Sequence, residues 1–332
     1  MKKITILLIA ACISAVVFGC VTGIRDMDID SIEMTIEDEE GSRVEKLLPD
    51  TEYSLGFRVK DRKGEVYLNP NYKDFGFENV KNMEVVQQAR FSVTINTDKS
   101  TFHPPGEDLY GFILSVKGNR YPSRAYTYPL NWKAYSRIDY SGEDGENGLS
   151  ATEAPNESIQ GEDGTRGYPG KDAHFIACRY RYEGENKILL YDTERDQLFL
   201  TEIKEITLDA SGGDGGNGGR GGDGTEVEDG AGEPGSGGDG GDAGYGGDIT
   251  LTAADVQLFN YIDPVVKGGE GGRGGRAGRW YVDGDLTKTG NSGRSGRDGR
   301  DGKVRYKTVS PSELKEKLSR IEVPGFSLEN VQ

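Results

Sequence analysis

Glycine keeps a three-residue period through much of the second half of the chain, as in Gly212-Gly213-Asp214-Gly215-Gly216-Asn217-Gly218-Gly219-Arg220. A period of three matches neither the alternation of a strand nor the 3.6 residues of an α-helix, but it suits a threefold, left-handed extended helix. The pattern recurs in six runs: Gly142–Gly148, Gly161–Gly170, Gly212–Gly224, Gly232–Gly247, Gly268–Gly278 and Gly290–Gly302. On a threefold helix each position modulo three forms one ridge. Gly-Gly-X runs therefore carry two ridges of bare backbone, and Gly-X-Y runs carry one. A bare ridge lets a neighbouring chain approach until amides and carbonyls pair. The expected fold is a bundle of polyglycine II-type helices, with Gly212–Gly224 and Gly268–Gly275 in the best-surrounded places and Gly290–Gly302 at the rim.

Three other readings of the glycine are weaker. Collagen needs a long unbroken Gly-X-Y series rich in proline, whereas these runs are short and hold only Pro169 and Pro234. Calcium-binding nonapeptide repeats match Gly218–Asp223 and Gly237–Asp242, but Thr225 and Gly244 stand where a large apolar residue is required. Flexible linkers are the natural state of glycine-rich chain. Against that, strand-like segments punctuate the runs: His174–Tyr180, Ile188–Tyr191, Leu198–Leu200, Ile206–Ser211, Asp248–Thr252, Val256–Tyr261 and Val265-Val266. Read as strands, with turns at Glu183–Asn186 and Thr193–Asp196, they form a platform from which the rods emerge and which fixes their register.

Charge is divided among the runs. The middle ones are acidic, with Asp214, Asp223, Asp239 and Asp242, and the late ones are basic. Arg294, Arg297, Arg300 and Lys303 share one ridge, which forms either an anion-binding strip or one side of cross-rod ion pairs.

Met1–Gly19 has the build of an export signal: Lys2 and Lys3, an apolar stretch too short to span a bilayer, then small Gly19 before Cys20. Val17-Phe18-Gly19-Cys20 resembles the lipobox of bacterial lipoproteins, which implies cleavage before Cys20 and acylation of it, with palmitate among the chains. Val21, in place of the aspartate of the familiar sorting rule, implies the outer membrane, on either its periplasmic or its surface face. The full chain of 332 residues carries −16, and loss of Lys2 and Lys3 leaves −18. Such a field disfavours nucleic acid and bare anionic lipid as partners. Cys12 departs with the signal, so Cys178 is left with no intrachain partner.

Residues 20–29 read as a lipidated tether. Asp26, Asp28, Asp30 and Glu37 mimic a calcium loop, but Ser31 stands where glycine is needed. From 30 to 140 the segments Ile32–Asp38, Tyr53–Lys60, Gly64–Leu68, Arg90–Asn96, Tyr110–Lys117 and Arg124–Tyr135 alternate as strands do. They predict an immunoglobulin-like β-sandwich without its cysteine pair. Trp132, Tyr126 and Tyr128 make a candidate aromatic strip for sugar stacking, against a bland reading as core or edge cover. Residues 141–303 form the glycine bundle, with β insertions at 171–211 and 248–267. Residues 304–332 supply a strand and one α-helix, opened by Ser310-Pro311-Ser312-Glu313 and striped by Leu314, Leu318 and Ile321. The fold class expected is thus mainly β with one terminal helix.

No catalytic constellation stands out. His103 and His174 lie apart from any metal-spaced partner, and Gly230–Gly235 fits a dinucleotide fingerprint only in letters, since Pro234 and more glycine follow it. Neither a cofactor nor a metal is expected, and no enzyme activity. Cys20, Ile206–Gly216, Gly246–Leu251, Asp263-Pro264 and Gly296–Lys303 together resemble a group of Gram-negative lipoproteins with collagen-like or glycine-rich repeats. Such rods also resemble insect antifreeze proteins and certain phage tail adhesins, in fold only. The function expected is a non-enzymatic, lipid-anchored envelope protein acting as a structural or protein-interaction module. Two alternatives stand beside it: an adhesin binding glycan or host matrix, and a polysaccharide-processing accessory or hydrolase.

Overall fold

The computed structural model describes residues 23–68, 70–89, 92–102, 110–151, 159–224, 233–282 and 285–332. Cys20, Cys12 and His103 lie outside them. The fold is mainly β and divides into two compact units.

The first unit comprises the described residues up to Thr97 together with Tyr110–Pro129. Its strands are β1 (Ile29–Glu37), β2 (Glu52–Asp61), β3 (Val66–Leu68), β4 (Phe75–Lys81), β5 (Met83–Gln88), β6 (Val93–Thr97), β7 (Tyr110–Val116) and β8 (Arg124–Tyr128). One antiparallel sheet runs β1-β2-β6-β5 with β3 also on β2, and a second runs β4-β7-β8. Alternation buries one face of each: Leu55, Phe57 and Val59 on β2, and Phe112, Leu114 and Val116 on β7. The faces meet where Phe57 stacks on Phe75 with ring centroids 4.3 Å apart and meets Tyr72 edge-on. Each such side chain contributes about 1.5–3 kcal/mol by leaving water.

Several expectations are corrected here. Part of the expected 20–29 tether packs into this unit: Ile24 is buried and β1 starts at Ile29. The side-chain amide of Asn119 holds that entry, lying 3.1, 2.8 and 2.8 Å from the carbonyls of Ile24, Arg25 and Met27. Strands β4 and β5 escape the alternation rule, because Asn79 and Asn82 adopt positive φ and the register slips between Glu78 and Lys81. The strand expected over Arg124–Tyr135 stops at Tyr128, before Pro129. Residues 130–140, placed by sequence in the first domain, belong to the second unit, where Tyr135, Ile138 and Tyr140 are buried.

The second unit adds β9 (Arg137–Asp139), β10 (Ala173–Tyr182), β11 (Glu185–Asp192), β12 (Gln197–Thr201), β13 (Ile206–Asp209), β14 (Ile249–Ala253), β15 (Ile262–Val265), β16 (Arg279–Val282), β17 (Asp285–Thr289), β18 (Val304–Thr308) and α1 (Pro311–Leu318). A parallel sheet, β15-β13-β9, feeds the first, third and fifth glycine runs. The second, fourth and sixth runs lead back into β10, β14 and β18, which pair in parallel in a sheet completed by β11 and β12. Three runs therefore leave this strand platform and three return to it. The hairpins at Glu183–Gly184 and near Asp196 turn through positive φ, as the turn residues predict. Val256–Tyr261, expected as a strand, is a 3₁₀ turn capped by the Asp255 carboxylate on the Gln257 N–H; the strand follows it. On the outer face of the larger sheet, α1 and the C-terminal segment cover Ile176, Cys178, Tyr180 and Leu189 with Leu314, Leu318 and Ile321. The helix starts as its sequence indicates, with Ser310 Oγ accepting the Glu313 N–H at 3.2 Å and Pro311 in the first turn.

Candidate functional site

Lateral hydrogen bonds between the glycine runs follow one rule. Each run donates to the next run in its own layer and, from a second ridge, to the run preceding it in the chain. In the third run, Gly215 N–H donates to the Glu270 carbonyl at 2.8 Å and Gly216 N–H to the Thr165 carbonyl at 2.9 Å, while the Gly216 carbonyl accepts from Gly241. Runs one, three and five form one layer, and two, four and six the other, antiparallel to it. The third and fourth runs each bond to four others, the first and sixth to two.

Close approach is what demands glycine here. A Cβ on Gly216 would overlap the Glu146 carbonyl, on Gly238 the Glu162 carbonyl, and on Gly275 the Gly219 carbonyl. The middle places go to the third and fourth runs rather than to the third and fifth, because a zigzag of six has its centre between three and four. The doublets Gly237-Gly238 and Gly240-Gly241 were the available signal. The sixth run lies at the rim, as its single bare ridge predicts.

Sequence reasoning missed a second device. The N–H of the outward residue X faces no other run, and at many positions a side chain of the neighbouring run accepts it. Asp144 Oδ1 takes the Asp214 N–H at 2.7 Å, and Asp214 Oδ1 takes the Glu270 N–H at 2.7 Å. Asn147, Asn217 and the Arg273 N–H repeat this at 2.7 and 2.8 Å. On the other layer Asp163, Asp239 and the Arg294 N–H do so at 2.6 and 2.7 Å. A short acceptor side chain satisfies a donor that would otherwise rely on water. The signal lay in like residues at like register, Asp144 with Asp214 and Asn147 with Asn217.

Stapling runs in one direction, so it explains the charge partition. The stapling Asp and Asn side chains, such as Asp144, Asn147, Asp163, Asp214, Asn217, Asp239 and Asp242, lie on runs one to four. The last run of each layer has no further run to staple and is free to carry Arg273, Arg276, Arg294, Arg297, Arg300 and Lys303. Asp298 and Asp301 instead reach across the rim to the N–H groups of Gly271 and Gly268. Of the four candidate ridge cations, Arg297 pairs with Asp242 at 2.6 Å. The side chains of Arg294, Arg300 and Lys303 make no ion pair among the described residues.

Arg297 holds Asp242 down to a pKa of about 2, first through its guanidinium and then through its own N–H. Asp248 is lowered by the Lys303 N–H and by Arg305. A folded-state pKa below the unfolded value gives stability that is complete above the unfolded pKa and is lost as pH falls through the folded one. The thermal midpoint of the second unit is expected to fall as pH drops from near 3.8 through about 2. Asp242→Asn keeps the N–H acceptor and loses the charge, so its midpoint should fall less over that interval; an unchanged slope refutes the assignment.

The candidate aromatic strip is divided between the units. Tyr126 and Tyr128 lie on β8, where burial raises both and pushes Tyr128 up to about 12. Trp132 belongs to the second unit, half-buried against its core, with Lys187 Nζ 5.1 Å from its ring and Lys204 Nζ donating to its carbonyl. Cys178 is buried, and desolvation pushes its thiol up to about 12. His174 is half-exposed with Nδ1 3.4 Å from Glu194. Among the described residues no group of His, Cys, Asp and Glu is placed to hold a metal, and no helix is long and apolar enough to cross a membrane. The chain matches no protein-family model, no curated protein and no solved structure.

Proposed function

We propose that this chain is a non-enzymatic, lipid-anchored cell-envelope protein in which an immunoglobulin-like β-sandwich near the membrane carries a stiff interaction module of six polyglycine II-type helices. One observation carries the reading: the glycine runs bond laterally through one or two N–H groups in every three residues and continue into two sheets. Such a lattice spends its backbone on lateral bonds and sets charged side chains outward along the runs, which supports reading it as a scaffold. The two-sheet first unit, with alternating buried faces and antiparallel pairing, supports the sandwich. Cys20 in its lipobox supports the anchor, and Val21 supports the outer membrane.

The mass of the protein recovered from cell membranes tests the anchor. A mature chain that begins at Cys20 and carries acyl chains is expected. A soluble chain, or one cleaved elsewhere, overturns it.

A second reading, an adhesin for acidic glycan or host matrix, is favoured by Arg294, Arg300 and Lys303, three cations on one ridge that form no ion pair among the described residues. Saturable binding on a glycan array that is lost in the triple alanine variant would select it over the scaffold.

A further inference from the structure

The first unit has one end whose charge opposes that of the protein. Hydrogen bonds gather four segments there: Arg62 N–H donates to the Asp28 carbonyl, Lys117 N–H to the Asp74 carbonyl, Lys117 Nζ to the Lys73 carbonyl, and Asn119 binds the carbonyls of 24–27. Within residues 23–28, 61–65, 73–74 and 117–122 the charged side chains are Arg25, Arg62, Lys63, Lys73, Lys117 and Arg120 against Asp26, Asp28, Asp61, Glu65 and Asp74, and Asp61 is buried, its carboxylate accepting the Lys63 and Glu65 N–H groups. Asp74 is buried and spent on Arg25, at 2.6 Å. The six cations are exposed. An open groove of about 370 Å³ runs between residues 25–29 and 118–122, edged by Arg62 and Arg120. This end is therefore net positive on a mature chain of −18, the full-length −16 less Lys2 and Lys3.

Its place in the chain gives the charge a direction. Only Val21 and Thr22 separate Cys20 from Gly23, and Ile24 is already buried. Extended chain spans at most about 3.6 Å per residue, so Ile24, where the chain enters this end, stays within roughly 15 Å of the acylated residue. Charges farther away are screened beyond about 8–10 Å, so the local sign governs what this end meets.

On the reading that Cys20 is lipidated, we propose that this basic end is a docking surface for anionic phospholipid headgroups, so that the protein lies against the bilayer instead of swinging on its anchor. Lys63, Arg120 and Arg62, the last giving up an exposed 3.4 Å contact with Asp28, meet the headgroups, while Arg25 keeps its bond to Asp74 and holds the entry segment in place.

A chain beginning at Cys20, made without acylation and coupled through that thiol to a maleimide lipid in vesicles, tests docking whether or not cells acylate the protein. Buried Cys178 leaves Cys20 as the reactive thiol. Amine-labelling rates are read by mass spectrometry on phosphatidylcholine vesicles with and without phosphatidylglycerol. Lys63, Lys73 and Lys117 are expected to label about fivefold or more slowly on the anionic vesicles, since each basic residue near such a surface strengthens association by about that factor. High salt should abolish the protection. Arg62→Glu with Arg120→Glu should abolish it too, while Lys307→Glu with Lys315→Glu, an equal charge change in the second unit, should leave it intact. Equal labelling on both vesicle types, or equal slowing of Lys307 and Lys315 in the unmutated chain, overturns the proposal. Failure to find acyl chains on the cellular protein would overturn the anchor alone.

Discussion

Gly216→Ala should destabilise the second unit by more than about 3 kcal/mol and lower its thermal midpoint by many degrees. The added methyl would occupy the space of the Glu146 carbonyl, and that atom is backbone within an interlocked lattice, so it cannot swing aside. Any shift that relieved the overlap would lengthen the Gly216 bond to Thr165 and the Gly241 bond to Gly216 together. Two controls separate this from ordinary losses. Gly64→Ala meets open space and costs only the strain of φ +89°, about 1 kcal/mol. Asn217→Ala removes one staple from the Arg273 N–H and should cost about 0.5–1.5 kcal/mol. Equal midpoints for Gly216→Ala and Gly64→Ala would mean that the runs are not packed as described.

Asp192→Ala should be the most damaging change outside the glycine runs, at about 3 kcal/mol. Asp192 is fully buried, accepting the Tyr140 hydroxyl at 2.8 Å, Arg195 Nη1 at 2.8 Å and the Glu194 N–H at 2.9 Å. The other arm of Arg195 donates to the Asp172 carbonyl, and its guanidinium lies 4.4 Å over the Tyr140 ring. One carboxylate thus ties the turn between β11 and β12 to the start of the first run and the end of the second. Burial raises the Tyr140 hydroxyl and the carboxylate raises it further, so it stays a proton donor at neutral pH. Burial alone would lower Arg195, but Asp192 more than offsets it. Chemical denaturation of Asp192→Ala, beside an Asp192→Asn variant that keeps the Tyr140 bond and loses less, reads the effect. A loss below about 1 kcal/mol for the alanine variant would place the network among ordinary surface contacts.

Local chemistry was the most legible part of this sequence. Turn residues placed the hairpins at Glu183-Gly184 and Asp196, and a hydroxyl cap with proline placed α1, because each acts within a few residues. Glycine spacing identified the runs and the rim position of the sixth. What spacing could not give was order in the lattice, since four neighbours for the fourth run is a property of six segments at once. Strands β4 and β5 were hidden by positive-φ asparagines that break alternation, and 130–140 changed units because burial of Tyr135 and Tyr140 is decided by distant chain. Among the candidate site residues, charge sign was readable but purpose was not: Asp214 and Asn217 look like solvated surface until their register against Glu270 and Arg273 is known. The aromatic candidates divide between the units for a similar reason, with Trp132 only four residues beyond Tyr128 but packed against the core of the second.

Residue-resolved amide exchange of the intact chain bears most directly on whether bare backbone, bonded side to side, makes this half of the protein stiff. Gly213, Gly216, Gly219, Gly238, Gly241 and Gly244 should exchange orders of magnitude more slowly than free peptide, and more slowly than Gly290 and Gly293 at the rim. Exchange of all these amides at free-peptide rates would contradict the lattice and leave the glycine runs as flexible chain beside a folded first unit.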